Sequence, residues 1–380
     1  MKKYIVVFFL IFIGCTSSEN NIDSNVIKTI KCDFSTFTSI DSELIFKKSK
    51  FVSLEAKDGK LLGQINKVEI SKDKIFCSTK NTISVFNLEG KFLFEIANKG
   101  EGPSQYKSIT DFIINERIRI LDSRSRKIFE YDTQGNFIES WGFPLFAVRF
   151  HQIDDDQFFF YSSNTPNEES DYMVNLVSKK SGKIAQKFLK IDPRKIDYFQ
   201  YLDVNNFATV EGKTNFFMSG SHEVFEWRKD AFIPVTKFDL DGRGIPDEVY
   251  RQKFMDVSYF NNYLKNKDMI DFLSTFYIEN ENQIIVGLTH QREKKYWLVY
   301  DKKNQKSSVY NSMNWSNGNK NFEISFNPVN SPVGVSSKHL IMAFEPDQFL
   351  EEIKHSKLTK SDFKYLSFDQ NQILFIGDLK

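Results

Sequence analysis

The chain has 380 residues, enough for one large or two ordinary domains, and its 41% hydrophobic content with 39 Phe and 15 Tyr can fill a substantial core. The 51 Lys and Arg against 50 Asp and Glu leave a formal charge of +1. That balance excludes a basic excess for nucleic-acid binding and an acidic disordered chain.

The N-terminus reads as a targeting segment. Lys2 and Lys3 precede an apolar run, Tyr4 to Ile13. The run is shorter than the roughly 20 residues a spanning helix needs, but suits the apolar stretch of a signal peptide. It ends at Gly14-Cys15, which resembles a bacterial lipobox, although Phe12 and Ile13 depart from the usual Leu and Ala or Ser. Residues 1–14 are therefore expected to be a lipoprotein signal peptide, with Cys15 the lipidated residue. The alternative is an ordinary secretory signal in which Cys15 is incidental. Residues 15–40 open with polar Thr16-Ser17-Ser18-Glu19-Asn20 and read as a lipid-anchored tether. Attachment to a membrane is expected through the lipid alone.

From here the chain repeats itself, and repeats decide the fold before anything else. The segment Glu43 to Glu55 alternates as a strand and is expected to join the last repeat, closing a ring that would otherwise expose its edges. The unit from Lys74 matches the unit from Arg119: Ile75 with Ile120, Phe86 with Tyr131, Gly90 with Gly135 and Phe92 with Phe137. Short runs of Val, Ile, Phe and Tyr with period-two alternation predict strands, and the glycines predict hairpin turns at positive φ. Looser units follow at Gln157, Asn215, Gln283 and His339, with turns at Gly182 and at Lys229-Asp230. Units of about 40 to 50 residues with four strands each are the signature of a β-propeller.

Between the first two units, Gly100-Glu101-Gly102-Pro103-Ser104-Gln105-Tyr106 could be mistaken for a phosphate loop. It lacks the closing Gly-Lys-Ser/Thr, and the next stretch reads as a strand, so it is expected to connect two blades. Gly100, Gly102, Pro103, Gln105, Tyr106 and Asp111, then Ile120-Leu121-Asp122, Lys127-Ile128, Tyr131-Asp132 and Gly135-Asn136-Phe137, resemble an NHL-type repeat. The whole chain resembles the six-bladed β-propeller lipoproteins of Bacteroidetes, sharply over residues 60–142 and diffusely beyond. The resemblance implies an all-β fold, a six-bladed β-propeller over residues 41–380 with two short helical insertions, and implies little about function.

The insertions fall at about 246–273, where Val249, Phe254, Val257, Phe260 and Leu264 have helical spacing behind Pro246, and at about 346–366, behind Pro346. They are expected to cover edges of the ring or to lie over one mouth.

Chemistry is sparse. The stretch from Asp239 looks like a calcium loop, but Arg243 stands where a ligand oxygen belongs and Tyr250 where the final Glu belongs. Asp154-Asp155-Asp156 reads as a solvated turn. The five His lack metal-ligand spacing, and no Gly-x-Ser-x-Gly elbow is present. No cofactor and no metal are expected. What remains is the loop face at one mouth of the channel, with Lys80, Tyr106, Arg124, Arg126, Arg149 and His151 as candidate ligand contacts, since guanidinium groups grip oxyanions and aromatic faces stack on sugars. The sequence therefore points to a non-enzymatic lipoprotein of the cell envelope, on the periplasmic or surface face of the outer membrane. It would bind a small molecule, a glycan or an envelope protein. The alternative is a lyase or hydrolase whose axial metal is held by His151, His222, His290 and acidic partners.

Overall fold

The computed structural model describes residues 27–35, 37–196, 203–273, 275–317, 320–327, 331–356, 358–359, 362–363 and 371–380. Residues 1–14, expected as a signal peptide, Cys15 and the start of the expected tether lie outside these residues. The chain enters through β1 (Lys28–Lys31), β2 (Thr38–Asp41), the one-turn α1 (Ser42–Ile45) and β3 (Phe46–Ser53). Four-stranded antiparallel sheets follow: β4 (Lys67–Ser71), β5 (Lys74–Ser78), β6 (Ile83–Asn87) and β7 (Phe92–Ile96); β8 (Asp111–Ile114), β9 (Ile118–Asp122), β10 (Lys127–Tyr131) and β11 (Phe137–Gly142); β12 (Arg149–Gln152), β13 (Gln157–Tyr161), β14 (Tyr172–Ser178) and β15 (Lys183–Lys190). The fourth sheet holds β16 (Phe207–Val210), β17 (Lys213–Phe216), β18 (Glu223–Arg228) and β19 (Ala231–Asp239). After α2 (Asp247–Tyr250) and α3 (Val257–Lys265) comes a sheet of β20 (Ile270–Asp271), β21 (Tyr277–Glu279), β22 (Gln283–His290), β23 (Lys294–Asp301), β24 (Lys306–Asn317) and β25 (Lys320–Ser325). The chain ends with β26 (Pro332–Val335), β27 (His339–Phe344), α4 (Pro346–Glu352), a 3-10 turn and β28 (Ile373–Leu379).

The fold is an all-β propeller with few helices. Five sheets are its blades, where six were expected; the remaining sheet is a composite of β26, β27 and β28 with β3. β3 pairs antiparallel with β28 from Phe46 opposite Leu379 to Ser53 opposite Ile373, as expected of the segment 43–55.

Apolar wedges between neighbouring sheets hold the ring. In Gln157–Tyr161 every aromatic is buried, because period two sends Phe158 and Phe160 towards Leu121 and Ile128 of one neighbour, and Phe159 and Tyr161 towards Phe216 of the other. The same pattern continues around the axis. It ends where Ile341, Leu374 and Ile376 of the composite sheet meet Val68, Ile75 and Phe86 of the first.

The turns follow their residues. Gly90 and Gly135 adopt φ of +83° and +87°, and each stands after an Asn87 or Asp132 carboxyl or amide oxygen that accepts two backbone N–H groups. Lys229 and Asp230 both have positive φ and join Arg228 to Ala231 as a two-residue hairpin.

Part of residues 15–40, expected as a tether, is strand. Lys28–Lys31 adds in parallel to the outer edge of β19, and Thr38–Asp41 adds in parallel to β24. Ile30, Cys32 and Ile40 are buried beneath this strap. Burial, with Asp239 adding, pushes the Cys32 thiol up to about 12. Cys32 and Cys77 are both free and buried. The two helical insertions are present, with α3 capped by Asp256 through Ser258 and Tyr259 N–H; the second is described only in part.

Candidate functional site

The innermost strands β4, β8, β12, β16 and β26 surround a cavity of about 310 Å³ on the axis. Alternation turns Lys67 and Glu69 of β4, Asp111 of β8, and Arg149 and His151 of β12 to its wall.

A charged network stitches three of these strands. Lys67 Nζ lies 2.9 Å from Asp111 Oδ1, 2.9 Å from Glu69 Oε1 and 2.6 Å from the Phe112 carbonyl. Asp111 Oδ2 accepts the Phe150 N–H at 3.3 Å, and Glu69 Oε2 accepts the Ile114 N–H at 3.1 Å. Burial opposes the Lys67 charge, but the carboxylates outweigh it and hold the ammonium above its usual range. Burial dominates at Glu69 and raises its carboxyl, with Lys67 offsetting only part.

Arg149 is held differently. It donates from Nη1 to the Val148 carbonyl at 2.8 Å and from Nη2 to the Asp203 carbonyl at 2.7 Å. Its Nε is buried without a partner, and among the described residues no carboxylate lies within 4.0 Å of the guanidinium. The Asp203 carboxylate faces elsewhere and accepts from Ser219 Oγ, Ser219 N–H (2.8 Å), Asn206 Nδ2 (2.8 Å) and Thr275 N–H (3.0 Å). Burial still raises it to about 6. His151 stacks on Phe207 with ring centroids 5.5 Å apart. Burial, with the Lys67 charge adding, lowers its pKa to about 4, so it is neutral at pH 7.

The structure divides the sequence candidates. Arg149 and His151 line the cavity. Lys80, Arg124 and Arg126 are exposed on the β5–β6 and β9–β10 hairpins, outside the cavity wall; Arg126 Nη1 donates to the Pro144 carbonyl at 3.2 Å. Tyr106 is no ligand contact: it is fully buried and its hydroxyl donates to the carbonyls of Asn81 (2.8 Å) and Ile96 (3.0 Å). The axial set of histidines does not form. His151 is in the cavity, His222 packs beside Phe272, and His290 lies 2.7 Å from Asp268. Among the described residues no three His, Cys, Asp or Glu side chains group to hold a metal ion. Sequence reasoning missed Lys67, Glu69, Asp111, Asn205, Asn206 and His339 on the wall. The signal was there in part: Lys67 and Asp111 open corresponding strands of successive units, and their alternate positions face the axis.

Likeness to one solved structure supports the fold, and two others are more distant. A Bacteroides fragilis protein described as a candidate exported protein shares 16% identity with a TM-score of 0.71, over 93% of this chain and 99% of that one. A member of the DUF4221 family from Bacteroides vulgatus shares 11% identity with a TM-score of 0.47, over 88% of this chain and 96% of that one. Virginiamycin B lyase from Staphylococcus aureus shares 9% identity with a TM-score of 0.41, over 87% of this chain and 99% of that one. No curated protein matches the sequence. Residues 24–378 match the model of DUF4934, a domain of unknown function, and the chain belongs to that family.

Proposed function

We propose that this protein is a non-enzymatic binding protein of the cell envelope, a single propeller over residues 41–380 anchored by a lipid on Cys15, and that its axial cavity holds a small polar ligand. The composite sheet counts as a sixth blade in this reading, because it has an inner strand on the axis and an apolar wedge on either side. The observation that carries the binding role is the cavity of about 310 Å³ whose wall mixes fixed charges with amides and a neutral imidazole. Concave sites with a few placed polar groups are where small ligands bind. Rigid inner strands hold those groups in place before any ligand arrives. The description of the Bacteroides fragilis neighbour as a candidate exported protein agrees with an envelope location, and so does the apolar run before Cys15.

Thermal unfolding with sugars, glycan fragments and peptides, and separately with divalent metals and EDTA, tests the binding role. A ligand at 100 times its Kd adds about 2.7 kcal/mol, well within reach of a melt. One organic class is expected to raise Tm without metal. A metal-dependent rise that EDTA reverses would overturn the reading. The anchor is tested by metabolic labelling with palmitate, which Cys15→Ser is expected to abolish along with sedimentation in the membrane fraction.

A further inference from the structure

Resting on the binding role of the axial cavity, the geometry points to a carboxylate as the group that the cavity recognises, with Arg149 as its receptor. A guanidinium carries five N–H donors. Arg149 spends two of them on neutral backbone carbonyls, Val148 and Asp203, and none on a carboxylate among the described residues. Lys67, the other cation on the same wall, is fully committed to Asp111, Glu69 and the Phe112 carbonyl. The two cations are close enough that Arg149 disfavours the Lys67 charge. The wall thus holds one cation with its own carboxylates and one without. A half-buried positive charge lacking a counter-ion favours an incoming anion, and a planar fork that is already fixed in position favours a planar, bidentate one.

The surroundings set the charge of that anion. Asp111 and Glu69 stand on β8 and β4 of the same wall, so a dianionic phosphate or sulfate meets about twice the repulsion that a monoanionic carboxylate meets at the same place. His151 is neutral and offers no second charge. Further along the wall, Asn115, Gln152, Thr209 and Ser336 are amides and hydroxyls rather than charges, with Asn115 and Arg119 both donating to Gln152 Oε1. They suit a hydroxylated body attached to the carboxylate, which describes an acidic sugar.

The test uses the full-length protein with D-glucuronate, its neutral isostere D-glucuronamide, D-glucose and inorganic phosphate, each titrated by calorimetry. Glucuronate is expected to bind on the order of tenfold or more tighter than glucuronamide, the difference a charge-assisted pair supplies. It is likewise expected to exceed glucose and phosphate. Equal affinity for acid and amide would overturn the inference while leaving a sugar-binding cavity standing. Phosphate binding more tightly than glucuronate would overturn the choice of carboxylate. No binding of glucuronate would overturn it outright. In Arg149→Lys the charge remains without the fork, and glucuronate affinity is expected to fall several-fold; in Arg149→Met the acid–amide difference is expected to vanish. The amide comparison needs no variant, so it decides the matter even where Arg149→Met fails to fold.

Discussion

Asp203 holds Arg149 with its backbone carbonyl, at 2.7 Å from Nη2, and keeps its carboxylate for four donors on its other side. One residue thereby fixes the loop before β16 and sets the position of a side chain on β12. Asp203→Ala strips the acceptor from Ser219, Asn206 and Thr275 at once. Each buried unsatisfied donor costs about 1–3 kcal/mol, so the variant is expected to lose about 3 kcal/mol or more in urea unfolding. It is also expected to weaken any ligand held by Arg149, which a calorimetric titration would show.

Tyr106→Phe removes a hydroxyl shared by two buried carbonyls. The expected cost is about 1–2 kcal/mol of stability. Ligand affinity should stay as in the parent, since the side chain lies in the core between β7 and β9 rather than on the cavity wall.

The turn at Gly90 grips the closing strand. A Cβ there would collide with the Ser53 carbonyl oxygen, the residue has φ of +83°, and its own carbonyl accepts the Glu55 N–H at 2.8 Å. Gly90→Ala is therefore expected to cost more than about 2 kcal/mol, combining backbone strain with displacement of the strand after β3. Gly59→Ala is the control. Its φ is +73°, but nothing lies within 4 Å of the added carbon, so only the strain of about 1 kcal/mol is expected.

Acid should act on the ring through two histidines and one aspartate in opposite senses. Burial lowers His151 and His222 to about 4 from the ordinary 6.5, with Lys67 adding at the first and Lys195 at the second. Between those values the unfolded chain holds protons that the folded one refuses, so their contribution to stability rises as pH climbs from 4 to 6.5. Asp203 is raised to about 6, so the folded chain holds the extra proton and this contribution falls as pH climbs from about 4 to 6. Removing one histidine should unmask the aspartate. In His222→Gln the stability gain between pH 4.5 and 6.5 is expected to shrink, with proton uptake on unfolding near pH 5 lower by about one. Urea melts across that range would show it; an unchanged pH slope would contradict the assignment.

The ring was legible where local rules act. Gly90, Gly135 and Gly182 mark real hairpins because a positive φ leaves few alternatives to glycine, and all three adopt one. The segment 43–55 shows β3 only in part: its first residues form α1, and within the strand Lys47 and Lys48 are both exposed while Val52 and Ser53 are both buried, so the pairing with β28 rather than a strict alternation defines it. The strap was not legible. β1 and β2 bury one residue each, Ile30 and Ile40, too little for a periodic signal in a polar stretch. The channel wall was legible only in Arg149 and His151. Lys67, Glu69 and Asp111 look like ordinary strand polars until the ring turns their faces inward. Tyr106 misled because a tyrosine among glycines beside a mouth has the chemistry of a ligand contact, whereas the fold uses it to close a wedge.

The pairing of β3 with β28 also dictates an order of events. Phe46–Ser53 is synthesised roughly 320 residues before the strand that will cover its edge. During that interval a stretch of β-forming sequence has no partner in its own chain and could template a neighbour's. Lys47, Lys48 and Lys50, exposed in the finished ring, give the waiting strand a density of positive charge that repels a second copy of itself. The lysines on this edge thus suit a strand that must wait for its partner, and the emergence of β28 ends that wait.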